Sequence, residues 1–271
     1  MLEASARLAG SAGLGFVASF ALAAVCRLAG AWFLSRQYDP ATGPQPPRPP
    51  LLGALRGLPG RPVGRVIAVL VLVMGAVNLS APYFTPYMLR RLRLSYAEFT
   101  ILSATVLLAR ILASAYWGRV ATRIGNRRAL QVSGMTLLVP LAGLWVVSDA
   151  FVYLVGLQLL AGFAWSGFEL ATMLNLLDAT DDADRAQVLS LYTLLNGVAI
   201  VLASVLGGLV LRGFGEVSYH GLFLASTALR AATVLLVASG VGVRRPGEPS
   251  FGSALAQALV TFARPRAADG A

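Results

Sequence analysis

Along this chain, long unbroken apolar runs alternate with short polar gaps. A run of about 20 apolar residues crosses about 30 Å of hydrocarbon as a helix, which is longer than most core helices of soluble domains need. The pattern predicts spans at about 11–34, 66–88, 98–117, 129–147, 152–177, 187–211 and 220–242. The expected fold is therefore an all-α membrane protein of about seven transmembrane helices. One isolated helix within 1–35 precedes a six-helix bundle over 66–243. The leader "MLEASARLAG" opposes Glu3 to Arg7 and lacks a basic n-region, so the first run reads as a retained helix.

The gap at 36–65, rich in Pro and Gly, reads as an extended, flexible linker. Residues 244–271 form a tail in which Phe251, Leu255, Leu259 and Phe262 fall near helical spacing. Two readings stay open there: an amphipathic helix lying on the membrane surface, or a disordered segment.

Composition agrees with the pattern. The chain of 271 residues is 57% hydrophobic and 13% charged, whereas soluble domains are about one quarter charged. Its net charge is +10, and all 22 basic residues are arginine. They fall in short gaps between apolar runs rather than on one soluble face, so no nucleic-acid partner is expected. Arg36, Arg48, Arg56, Arg61 and Arg65 precede the second span, and Arg119, Arg123, Arg127 and Arg128 follow the third. Arg185 and the tail arginines share their side, and the opposite side holds Arg7, Arg90, Arg91, Arg93 and Arg212. The richer side is expected to be cytoplasmic, in an inner cell membrane, with the N-terminus outside and the C-terminus inside. The lone Cys26 and His220 offer no disulfide framework and no metal cluster. Without lysine, Schiff-base chemistry with retinal or pyridoxal is excluded, and no cofactor is expected.

The first and last spans resemble each other. Phe20 precedes Arg27 by seven residues, and Phe223 precedes Arg230 by the same interval. Parallel repeats of this kind mark one class of transporter.

The segment "YWGRVATRIGNRRAL" (116–130) carries Gly118, Thr122, Arg123, Gly125, Arg127 and Arg128 between two spans. Gly125 permits a sharp turn, and the arginines hold the loop on one side of the membrane. This loop resembles the signature of the major facilitator superfamily of secondary transporters. Thr122 stands where that signature has an acid, and Asn126 where it has an arginine. The family's acid takes part in a charge relay, which Thr122 cannot supply. "NLSAPYFTPYMLRRLRLSY" (78–96) resembles the family's seventh helix and following loop, and 162–211 its tenth and eleventh helices. The resemblance implies a permease: the C-terminal half of a transporter plus the sixth helix, with 36–65 as the central loop. A missing N-terminal half or a second copy is then the implied protein partner, beside the bilayer and an unidentified small solute.

Charges inside spans are costly, so each is a functional candidate. Glu169 lies nine residues before Asp178 and Arg110 eight before Gly118, depths of about 13 and 12 Å at 1.5 Å per residue. Similar depth makes Arg110 one candidate partner for Glu169, with Arg27 and Arg230 as rival partners. Glu169 is either a proton-coupling carboxylate or a static counter-ion. Asn78, Tyr83, Phe84, Trp165 and Asn175 fall on the helices that line the family's cavity, where they either grip substrate or pack helices. An intramembrane enzyme would need a nucleophile with its base, paired acids or metal ligands at depth, and His220 and Glu169 provide none of these.

Overall fold

The structure, a computed structural model, describes residues 12–36, 51–134, 139–181, 184–214, 218–238 and 251–263. The chain divides into two units, Met1–Pro49 and Pro50–Ala271. In the first, helix α1 (Ala12–Ser35) exposes its side chains from Val17 onward, Cys26 and Arg27 included. Near its end the Arg36 guanidinium lies 5.1 Å from the centre of the Trp32 ring.

The second unit begins earlier than the linker reading allows. Helix α2 (Leu51–Gly57) leads through a 3-10 turn, Leu58–Gly60, into α3 (Pro62–Asn78). Of the prolines that suggested an extended linker, Pro59 and Pro62 sit at helix starts. There the missing N–H would be unpaired anyway and the fixed φ suits the first turn. Residues 37–50 of the expected linker lie outside the described residues.

From Ala81 to Arg91 the chain runs through a 3-10 turn, a single helical turn and a wider π turn. Helix α4 (Tyr96–Ile124) opens on a capping box. The Ser95 hydroxyl accepts from the Glu98 amide, and the Ser95 amide donates to the Glu98 carboxylate. The expected fourth span is not one regular helix. It comprises α5 (Asn126–Gln131), a π turn at 132–134, the short α6 (Leu141–Leu144) and turns to Val147. Pro140 has no N–H to close a helical bond, and residues 135–138 lie outside the described residues. Helices α7 (Phe151–Asp178), α8 (Arg185–Phe214), α9 (Ser218–Ala238) and α10 (Phe251–Ala263) follow. No strand occurs among the described residues.

The most extensive pairing sets α4 against α7. Glycine makes the close approach possible: a Cβ on Gly167 would stand 2.3 Å from the Trp117 ring. Trp117 is buried there, its Nε1 donating to the Phe163 carbonyl at 2.8 Å. Helix α3 packs on α8 and α9, and Phe84 stacks on Phe223 with ring centres 4.5 Å apart.

The connections gather at two ends. At one, Arg61 donates to Asp184 at 3.0 Å and Asn126 to Asp178 at 2.7 Å. At the other, the Tyr87 hydroxyl donates to Asp149 at 3.2 Å and lies 3.0 Å from His220 Nε2. The arginine pattern assigns these same gaps to two opposite sides.

Outward-facing stripes are apolar. Leu107, Leu108, Ile111 and Leu112 on α4, and Val198, Val201, Leu202, Val205, Leu206 and Leu209 on α8, are exposed. Soluble monomers rarely carry such continuous apolar surface, whereas hydrocarbon solvates it. Among the described residues five helices are long and apolar enough to cross a membrane: Val17–Ser35, Pro62–Arg91, Tyr96–Ile124, Phe151–Asp178 and Arg185–Gly213. The seven runs expected from sequence therefore correspond to five such spans, the interrupted segment and α9.

Candidate functional site

One face of α7 carries Trp165, Phe168, Glu169, Thr172, Met173 and Leu176, positions that recur every three or four residues. On α8, Leu189, Tyr192, Thr193 and Asn196 recur likewise. Together with Met74 of α3 these stripes enclose an open-sided cavity of about 350 Å³, within the usual range for small-molecule sites. Glu169 supplies its one formal charge. Two buried polar atoms in its wall, Thr172 Oγ1 and Asn196 Oδ1, have no hydrogen-bond partner among the described residues. Unpaired buried polar groups are costly, so their clustering at one cavity points to a ligand or ordered water.

Glu169 reaches from this wall to α4, where Arg110 Nη2 donates to its Oε2. The two side chains are 38% (Arg110) and 51% (Glu169) exposed, so the pair sits at the cavity rim and not in the packed core. Neither rival takes this place. Arg27 is exposed on α1. Arg230 is buried between α9 and the end of α3, where it donates to Ser226 Oγ and Ser80 Oγ, each at 3.2 Å. Ser226 in turn donates to the Ala76 carbonyl at 2.7 Å. This nest fastens two helices and does not reach the cavity.

Of the five residues expected to line a cavity, Trp165 does. Asn78 donates to its own helix at Met74, and Tyr83 spends its hydroxyl on the Ser204 carbonyl. Phe84 is sandwiched with Trp145 and Phe223. Asn175 donates to the Asn126 carbonyl at 2.9 Å, bracing the loop. Six residues after Glu169, it lies about 120° round the helix from that carboxylate, just past the edge of the stripe. Thr172, Tyr192 and Asn196 were missed, although their three- and four-residue spacing from Glu169 and from one another was available as a signal.

The loop signature is held by hydrogen bonds. Gly125 ends α4 at φ +85°, a conformation that side chains with a Cβ rarely adopt. The Thr122 hydroxyl turns back to the Arg119 carbonyl at 2.9 Å instead of capping a helix. Arg128 is buried and donates to Gln131 at 2.6 Å. Arg123 donates to Thr261 of α10 at 3.2 Å, and Tyr116 to the Ala258 carbonyl at 2.7 Å. Gly118 stands in open space. The tail helix therefore docks on α4 and α5 through Ala254, Ala258 and Thr261, with Leu255 half-buried beside them, while Leu259 and Val260 face outward.

A helical bundle with lipid-compatible flanks, polar connections at both ends and an open cavity in its wall defines a multi-pass membrane protein. The family model of the Major Facilitator Superfamily matches residues 66–267, α3 through the tail helix. The chain belongs to that superfamily, whose members are transporters. No curated protein and no solved structure matches it significantly.

Proposed function

We propose that the chain is a secondary transporter that carries a small solute across the membrane by alternating access. The cavity between α3, α7 and α8, with its carboxylate and its two buried unpaired polar atoms, carries this reading. Its open side implies a second wall. In transporters of this kind two bundles rock about a midplane site, so a second copy of the chain or a separate N-terminal bundle supplies it.

Glu169 is the proposed coupling group. In one conformation it is ionised against Arg110; in the other, with that contact broken, it takes up a proton, because an isolated carboxylate is expensive to keep charged in hydrocarbon. The arginine-rich end, with the loop signature and the tail helix, is proposed to face the cytoplasm. The test uses the full chain in proteoliposomes, with a solute panel and an imposed pH gradient. Saturable uptake that follows the gradient is expected, and Glu169→Gln should remove the dependence on the gradient. Gradient-driven uptake undiminished by Glu169→Gln would end the coupling role.

A further inference from the structure

The chemistry of the cavity wall selects among solutes. Glu169 uses Oε2 for Arg110, and no donor among the described residues reaches its Oε1. Thr172 Oγ1 and Asn196 Oδ1 in the same wall are buried and unpaired among the described residues. Among the described residues no basic side chain is part of the lining, which includes the rings of Trp165, Phe168 and Tyr192 and the thioethers of Met74 and Met173. A charged acceptor and two unpaired polar atoms share this wall with aromatic rings, whose faces attract cations. An ammonium group offers the complement: positive charge, three N–H donors and no acceptor.

We infer that this cavity takes a small organic ammonium ion, its cation exchanging with Arg110 for the Glu169 carboxylate. The inference rests on the cavity being the transport site. A carboxylate solute would meet Glu169 with like charge, and the one cation shown at the rim, Arg110, is already bonded to that carboxylate. A neutral solute would desolvate Glu169 without compensating it. A bound ammonium satisfies the acceptors and frees Arg110, so site occupancy is linked to the contact between α4 and α7. The partly exposed pair makes the exchange feasible, since neither charge must leave a sealed core.

The experiment measures binding to the full chain in lipid nanodiscs by calorimetry and by Trp165 emission. The probes are three of matched size: phenethylammonium, 2-phenylethanol and 3-phenylpropionate. The ammonium is expected to bind at least roughly tenfold tighter than the other two, as a charge-assisted hydrogen bond allows. Glu169→Gln should erase that preference. Asn196→Leu, which leaves the ion pair intact, should weaken the ammonium several-fold, and Arg110→Gln should not weaken it. Trp165→Phe should abolish the emission change. Equal binding of all three probes with a Trp165 response would overturn the cation inference and leave the cavity as the binding site. No binding, or a response that survives Trp165→Phe, would overturn both.

Discussion

Helices α4 and α7 meet where Gly167 faces Trp117, and replacing that glycine with alanine should have a large, signed effect. The added Cβ would lie 2.3, 2.5 and 2.8 Å from three atoms of the indole, well inside contact distance. The ring cannot yield cheaply, because it is 1% exposed and its Nε1 donates to the Phe163 carbonyl. Either the helices part or the ring turns and loses its bond. Overpacking costs about 1–3 kcal/mol and the bond about 1 kcal/mol, so Gly167→Ala should destabilise the bundle by roughly 2–4 kcal/mol. Gly156 on the same helix has no atom within 4 Å of its added Cβ. There alanine gains only helix propensity, so Gly156→Ala should be neutral or stabilising by up to about 1 kcal/mol. The assay is reversible unfolding in mixed detergent, read by circular dichroism. In a Trp117→Leu background, where the indole is gone, Gly167→Ala should lose most of its cost, giving a coupling energy of about 2 kcal/mol. Equal effects of the two glycine substitutions, or no coupling to residue 117, would refute the account of the helix contact.

Other expectations concern the loop and the two ends. Gly125→Ala should cost about 1–3 kcal/mol in the same unfolding assay, since φ +85° is strained for any residue with a Cβ. Thr122→Ala should stay within about 0.5 kcal/mol, because its hydroxyl bonds only within its own helix at an exposed position; a large loss would restore a relay role. Ala258→Leu should force α10 off its small-residue seam and expose the tail to protease, whereas Leu259→Ala, on the outward face, should not. Tyr87→Phe should cost about 1 kcal/mol by removing the contacts to Asp149 and His220. Reporter fusions at 90–93 and 118–128 should fall in opposite compartments; the same compartment for both would undo the topology.

The amino-acid sequence by itself determined the solvent and much of the layout. Long apolar runs require hydrocarbon, charge concentrated in gaps marks helix ends, and Gly125 between arginines can only be a turn. These are local properties, readable wherever the chain meets lipid or water. The partners of each helix face were decided by the tertiary structure. In lipid, a leucine facing another helix and one facing hydrocarbon are equally apolar, so the runs carry little record of which side packs inward. Small and polar residues choose the seams. Ala254, Ala258 and Thr261 of α10 face inward while Leu259 stays outside, and Ser80 with Ser226 binds Arg230 away from the cavity. Asn175 braces a loop while Thr172, three positions nearer the N-terminus, lines the cavity, a difference of about 60° round the helix that only the packing of α7 against α4 and α8 fixes.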